Sequence, residues 1–236
     1  GRLIAIGGGE NRGPTGQILQ RFIQLSGGRG AKIVALTAAS IDPQTSGENY
    51  RRAFAALGAT DFSVVDARDR AATDDPHAIA QLSQADGIFI TGGDQRRLMA
   101  SIGGSQFAQA LRTAFNQGGA CIAGTSAGAA ALSRSMLAEG RTPALPEKDA
   151  ARLDSGLGLV PKAIIDQHFS ERRRLGRLLS VVAQQPGLLG VGIDEDTGLV
   201  IERGRGIEVI GEGSVTVLDG RMMRSNIADA DSRERL

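Results

Sequence analysis

The feature that most constrains this chain is the alternation of short apolar runs with amphipathic segments over its first two-thirds. The apolar runs are bounded by Gly, Asp or Ser, as buried strands are. The predicted strands are Leu3–Ile6, Lys32–Leu36, Phe62–Val65, Gly87–Thr91, Ala120–Ala123 and Ala163–Asp166, and the predicted helices are Thr15–Leu25, Gly47–Leu57, His77–Ser83, Phe107–Asn116 and Ala127–Leu137. This alternation predicts an α/β fold with a mostly parallel sheet and helices on both faces.

The last third of the chain has a different pattern. Short strands at Gly198–Glu202, Ile207–Ile210 and Ser214–Leu218 are joined by Gly-rich turns, which favours an antiparallel meander at a sheet edge. The stretch Leu137–Leu153 contains two prolines and is predicted to be one long loop. We expect residues 1–236 to form a single domain that ends in a frayed polar tail, 225–236.

Composition excludes several classes of function. The net charge is +1, which does not favour a nucleic-acid partner. The single cysteine rules out a cysteine-rich zinc site, and no P-loop pattern is present, so we expect neither metal nor cofactor. No apolar stretch approaches the roughly 18 residues of a membrane span. No signal peptide is recognisable, and we expect a cytoplasmic protein, although the chain begins with Gly1 rather than Met.

A G-x-S-x-G pattern, Gly124–Gly128, lies between a predicted strand and a predicted helix. Ligands of such sheets bind beyond the carboxyl ends of the strands. A serine on a tight strand-to-helix turn is the arrangement of a nucleophile elbow. We therefore predict Ser126 as a nucleophile, with the N–H of Ala127 facing a developing oxyanion.

The general base of such a serine is usually a histidine. Only His77 and His168 are available, and His168 follows a predicted strand whereas His77 starts a surface helix. The acid that would orient the imidazole stays open on sequence grounds. The candidates are Asp194, Glu195 and Asp196, after the strand Gly190–Ile193, and Asp166.

Two further segments follow strands at the same predicted edge. In Gly92-Gly93-Asp94-Gln95, a backbone N–H of Gly93 or Asp94 is a candidate second oxyanion donor, and Gln95 is a candidate contact for a substrate amide or carboxylate. The run Glu171–Arg177 carries four arginines beside His168, which favours an acidic substrate group. The turn Gly7–Gly9 lacks the full G-x-G-x-x-G spacing and is interpreted as a phosphate-free loop next to the pocket.

These motifs together resemble the cyanophycinase family of serine peptidases, which are relatives of the aspartyl dipeptidases. The resemblance is carried by Gly92–Gln95, Gly124–Ala129, Asp166–Phe169 with the arginines after it, and Gly192–Thr197. It implies a fold like that of class I glutamine amidotransferases and a homodimer. It also implies the triad Ser126, His168 and Glu195, with substrate contacts from Gln95, Asp166, Gln167, Arg172, Arg174 and Arg177.

The substrate that the resemblance implies is cyanophycin, a polyaspartate with arginine on each side-chain carboxyl, and the product is the β-aspartyl-arginine dipeptide. Loop 137–153 lacks family features, so we expect the chemistry to transfer better than the substrate. The alternatives are an aspartyl or isoaspartyl dipeptidase that uses the same triad on small β-aspartyl peptides, a non-catalytic α/β binding domain, and, more weakly, a nucleotide-binding protein that uses Gly7–Gly9.

Overall fold

A computed structural model gives the structure, which describes residues 1–202 and 204–236. The strands are β1 Arg2–Ile6, β2 Lys32–Leu36, β3 Asp61–Val65, β4 Gly87–Ile90, β5 Cys121–Thr125, β6 Ser135–Gly140, β7 Ala151–Ser155, β8 Ala163–Gln167, β9 Leu189–Ile193, β10 Thr197–Glu202, β11 Gly206–Gly211 and β12 Val215–Asp219. The helices are α1 Gln17–Leu25, α2 Pro43–Ala56, α3 Arg70–Thr73, α4 Pro76–Ser83, α5 Gln95–Ile102, α6 Gln106–Asn116, α7 Ala127–Ala131 and α8 Leu175–Gln184.

The described strands build one large sheet and two small ones. The large sheet has the order β11-β10-β1-β5-β4-β2-β3. Its five neighbouring strands β1, β5, β4, β2 and β3 are parallel. Strands β10 and β11 are antiparallel and close one edge. A second sheet has the order β12-β9-β8, and β6 pairs with β7. The predicted α/β class, with a mostly parallel sheet, is confirmed.

The core lies on both faces of the large sheet, because successive side chains of a strand point to opposite faces. In β1, Leu3 and Ala5 pack in one cluster, against α4, α5 and α6. Ile4 and Ile6 pack in the other, with the aromatic side chains of α1 and α2. Helices on both faces therefore cover the sheet, as predicted.

The helix predicted over Ala127–Leu137 begins where expected but is too long, and the loop predicted over Leu137–Leu153 holds only for residues 141–150. Helix α7 ends at Ala131, and the chain then enters strand β6, which pairs antiparallel with β7. The main chain is redirected at Arg134, whose N–H donates to the carbonyl of Val160 at 3.0 Å. Helix propensity in the alanine run yields here to backbone pairing with distant strands.

The predicted meander and the predicted tail also need correction. Strands β10 and β11 pair at the sheet edge as expected, but β12 pairs with β9 in the second sheet. Asp194 holds the start of β12 beside the end of β9, since its carboxylate accepts from the N–H of Ser214. The tail is not frayed, because the N–H of Leu236 donates to Pro146 and the ammonium group of Lys148 donates to Ala230.

Two helices that border the site were not predicted. Asp94 caps the N-terminus of α5 by accepting from the N–H of Arg96 at 2.8 Å. Helix α8 begins at Leu175, directly after Arg172–Arg174, and carries Arg177 in its first turn. Both helices start at the carboxyl ends of strands, where they hold the connecting loops in place.

Candidate active site

Ser126 lies on a sharp turn between β5 and α7. Its φ of 53° and ψ of −113° fall in a region that costs a non-glycine residue about 1–3 kcal/mol. Small neighbours are required here, since a Cβ on Gly124 would lie 2.4 Å from the carbonyl oxygen of Gly128, and a Cβ on Gly128 would lie 2.4 Å from that of Ile90. The N–H of Ser126 donates to Ile6 at 3.0 Å, which ties the elbow to β1.

His168 follows β8 and faces the elbow. Its Nε2 lies 2.8 Å from Ser126 Oγ, and the ring is nearly buried. Its φ of 46° is also left-handed, and its N–H donates to the carbonyl of Gly7 at 2.8 Å. The other histidine, His77, is exposed at the start of α4, as predicted from the sequence.

Among the acids that the sequence left open, Glu195 is the one that reaches the imidazole. Its Oε1 lies 2.5 Å from His168 Nδ1. Asp194 accepts instead from the backbone N–H of Ser170 and Ser214, and Asp196 accepts from that of Asn11. With its proton on Nδ1, the imidazole donates to Glu195 and turns the lone pair of Nε2 towards the serine hydroxyl.

The turn Gly7–Gly9, interpreted as a phosphate-free loop next to the pocket, lies against His168 and Glu195. A Cβ on Gly8 would lie 2.3 Å from His168 Cε1, and a Cβ on Gly9 would lie 3.0 Å from Glu195 Oε2. Three glycines after a strand were the available signal, since they permit such close approach. The sequence did not say what would approach them.

Two of the three expected oxyanion donors have free N–H groups. A Cβ on Gly92 would lie 3.4 Å from Ser126 Cβ, so this loop runs beside the elbow. Within the described residues, the N–H groups of Ala127 and Gly93 have no acceptor. The N–H of Asp94 donates to Ala39 at 2.9 Å, so the expectation that Asp94 supplies a donor is wrong.

Gln95 lies at the start of α5, and its amide group contacts the β6–β7 hairpin. Its Nε2 donates to the carbonyls of Ala138 at 2.7 Å and Leu137 at 3.1 Å. The donor function expected for a substrate is therefore occupied. The amide oxygen is the part of this side chain that remains for a ligand.

Asp166 is at the centre of a buried ion-pair cluster and is 1% exposed. Arg177 reaches it in a two-point contact, Nε to Oδ2 at 2.8 Å and Nη2 to Oδ1 at 2.5 Å, and Arg174 Nη1 lies 3.2 Å from Oδ1. Burial lowers the pKa of Arg174 to about 10, so it is still charged at neutral pH. Asp166 and Arg177 are thus paired with each other inside the protein. The family resemblance had instead implied that both contact the substrate directly.

Gln167 joins this cluster to the elbow. Its Oε1 accepts from Arg174 Nη1 at 3.0 Å and lies 3.4 Å from Ser126 Oγ. Arg172 is exposed in the turn between His168 and α8, and its N–H donates to the carbonyl of His168. Of these two members of the predicted substrate set, Arg172 is exposed, whereas Gln167 is buried with its amide oxygen beside the nucleophile.

The described residues lack the features of two other classes of site. They contain no group of three or more His, Cys, Asp or Glu side chains arranged to hold a metal ion. No described helix has both the length and the apolar character needed to cross a membrane.

Comparison with known proteins gives the family. The sequence pattern of peptidase family S51 matches residues 3–209. A cyanophycinase of Geminocystis herdmanii is 39% identical over 221 residues, which cover 94% of this chain and 81% of that protein. A cyanophycinase of Thermosynechococcus vestitus is 39% identical over 237 residues, which cover 100% of this chain and 74% of that protein.

A solved structure shares the fold. The crystal structure of a peptidase from an acI-B1 Actinobacterium superposes with a TM-score of 0.72, covering 93% of this chain and 91% of that one, at 22% identity. At this identity the likeness concerns the fold alone. The family match and the two relatives carry the assignment, and the chain belongs to peptidase family S51 and is a serine peptidase.

Proposed function

We propose that this peptidase hydrolyses cyanophycin, releasing β-aspartyl-arginine dipeptides through Ser126, His168 and Glu195. The observation that carries the proposal is the pair of contacts at the imidazole, 2.8 Å to Ser126 Oγ and 2.5 Å to Glu195 Oε1. The substrate is supported by relatives named cyanophycinase that are 39% identical over nearly the whole chain.

In the proposed mechanism, His168 Nε2 takes the proton of Ser126 Oγ as that oxygen attacks the scissile carbonyl. Glu195 holds the proton on Nδ1 and stabilises the imidazolium. The free N–H groups of Ala127 and Gly93 bind the oxyanion. His168 then protonates the leaving amine. In the second half, His168 takes a proton from water as the water oxygen attacks the acyl carbonyl, and it returns this proton to Ser126 Oγ as the ester bond breaks.

The substrate contacts divide into two groups. Arg172 is exposed and is suited to a substrate carboxylate, and Gln167 Oε1 lies beside the nucleophile. We propose that Asp166 and Arg177, which are buried, act through Arg174 and Gln167 rather than by touching the substrate. The amide oxygen of Gln95 completes the proposed set.

The test is a product assay on purified cyanophycin, read by mass spectrometry. Wild type should release β-aspartyl-arginine, and Ser126→Ala should release none above background. Ser83→Ala is the matched control, since Ser83 is an exposed serine on α4 that bonds to Ile79.

If wild type leaves the polymer intact but cuts small β-aspartyl dipeptides in a Ser126-dependent way, the protein is a dipeptidase with the same site. If Ser126→Ala keeps the wild-type activity, the proposed nucleophile is wrong. A homodimer and a cytoplasmic location stay predictions, the first from the family resemblance and the second from the sequence.

A further inference from the structure

Glu10 places a carboxylate in the protein interior immediately after the turn Gly7–Gly9. Its side chain has no exposed surface. Three donors reach it: Tyr50 Oη at 2.5 Å, Thr125 Oγ1 at 2.5 Å and Arg12 Nε at 3.3 Å. A buried charge is costly unless it is fully hydrogen-bonded, and apolar side chains would fill the same space at no less stability. Packing alone therefore does not explain why a carboxylate occupies this buried position.

The donors connect Glu10 to two separate parts of the fold. Thr125 is the last residue of β5 and directly precedes Ser126, whereas Tyr50 lies in the middle of α2. Burial and the neighbouring carboxylate both raise the pKa of Tyr50, so its hydroxyl stays a donor. Arg12 lies 4.5 Å from the centre of the Tyr50 ring and supplies the compensating charge.

The turn that Glu10 ends, together with Ile6 directly before it, contacts every member of the proposed triad. Before the turn, the carbonyl of Ile6 accepts from the N–H of Ser126. Within it, the carbonyl of Gly7 accepts from the N–H of His168, and Gly9 packs against Glu195. Strand β1 fixes one end of this turn, and the Glu10 carboxylate fixes the other.

We propose that Glu10 is a positioning residue of the active site, which holds the Gly7–Gly9 turn and the elbow at Thr125 in one register so that Ser126 meets His168. This inference rests on the proposed function, because it assumes that Ser126 is the nucleophile. The residue acts through Thr125 and the turn, and it touches no reacting atom. Its removal should slow the chemical step and leave substrate affinity nearly unchanged.

The test compares Thr125→Val with Thr125→Ser. Valine keeps the shape of threonine and loses the hydroxyl that donates to Glu10, whereas serine keeps the hydroxyl. Thr73→Val is the control for loss of a buried threonine, since Thr73 is fully buried and its hydroxyl donates to Arg70 at 2.8 Å, away from the site. Glu10→Gln is a second probe, which keeps the volume and removes the charge and one acceptor.

The readouts are kcat and KM, and the rate at which a fluorophosphonate modifies Ser126, all measured on folded protein at matched circular dichroism. We expect Thr125→Val to lower kcat and the modification rate about 10- to 100-fold at nearly constant KM, because a small misplacement of a nucleophile has effects of this size. Glu10→Gln should fall in the same direction. Thr125→Ser and Thr73→Val should stay close to wild type.

The inference is overturned if Thr125→Val and Glu10→Gln keep the wild-type modification rate, or if Thr73→Val slows it as much as they do. Should Thr125→Val not fold, Glu10→Gln alone decides between the same outcomes. A wild-type protein that the reagent does not modify at Ser126 would reject the proposed function and this inference together. A modified wild type with equally reactive variants would reject the inference alone.

Discussion

The active-site edge, formed by the turns that follow strands β5 and β8, carries Ser126 and His168. It is held by different contacts from those of the β6–β7 hairpin. At the edge, main chain and side chain meet at contact distance, and Ser126 and His168 both take left-handed φ values. The hairpin also carries exposed ion pairs, such as Arg96–Glu139 and Arg152–Glu139. Solvent screens such pairs, so they contribute little to stability, whereas buried geometry at the edge leaves little room for change.

The difference between the edge and the hairpin indicates which of the two regions should tolerate substitution. At the edge, the backbone conformation determines where Ser126 Oγ, His168 Nε2 and Glu195 Oε1 lie. The hairpin presents charges whose positions are not fixed by packing. Substitutions at the edge should therefore affect turnover far more than substitutions on the hairpin.

The largest expected effect at the edge, apart from the nucleophile and base themselves, comes from Glu195→Gln. The amide cannot hold the proton on His168 Nδ1, and we expect kcat to fall about 10⁴-fold, as when the acid of a triad is replaced by its amide. Asp196→Asn is the control, since the asparagine oxygen can still accept from Asn11. Equal kcat values for the two variants would remove Glu195 from the mechanism.

Gly8→Ala should give the next largest effect. The new methyl group would lie 2.3 Å from His168 Cε1, so the imidazole must move, and we expect kcat to fall about 100-fold. Gly28→Ala separates contact from backbone strain, because Gly28 has a similar φ, 95° against 99°, and nothing within 4 Å. If both variants lose the same activity, strain rather than the contact with His168 is responsible.

Asp166→Asn tests the buried cluster next to the edge. Arg177 would lose its two-point ionic partner inside the protein, and we expect the free energy of unfolding to fall by about 3–5 kcal/mol. Urea unfolding measures this change, with the exposed Asp229→Asn as the control. A stability within about 1.4 kcal/mol of wild type, which is one tenfold step in the folding equilibrium constant, would contradict the structural role.

The smallest effect should come from the hairpin. Arg152→Ala removes an exposed ion pair with Glu139, and we expect less than about 0.5 kcal/mol of lost stability and little change in kcat/KM. Urea unfolding and the cyanophycin assay measure both quantities. A large rise in KM would mean that the hairpin binds the substrate, and the contrast drawn above would no longer hold.

The sequence predicts the edge better than the hairpin for a physical reason. Residues after parallel strands converge at one side of a sheet, so the placement of Ser126 beside the segment Gly92–Gln95 follows from the strand pattern. His168 follows β8, which belongs to the second sheet, so its approach to Ser126 depends on how the two sheets pack. The choice among Asp194, Glu195 and Asp196 does not follow, because a shift of one residue in a turn redirects the side chain. It was the family resemblance, rather than the residues, that assigned the role to Glu195.

The role of the turn Gly7–Gly9 and the β6–β7 hairpin could not be predicted from the strand and helix pattern of the sequence. The role of Gly7–Gly9 depends on which side chains approach the turn, and those belong to segments more than 150 residues away, near His168 and Glu195. The hairpin was missed because its strands pair only with each other and carry charged residues, so Leu137–Leu153 shows no clean alternation. Both features depend on contacts between segments that are separated in the sequence.

The central claim is that Ser126 and His168 act as one unit, and a double-mutant cycle tests it most directly. Turnover of cyanophycin, or of whichever β-aspartyl peptide the wild type cleaves, is measured for Ser126→Ala, His168→Ala and the combined variant. We predict a loss of about 10⁶-fold in each single variant and no further loss in the combination, since groups that act together are non-additive. Losses that multiply in the combined variant, or a Ser126→Ala protein that keeps its turnover, would contradict the account.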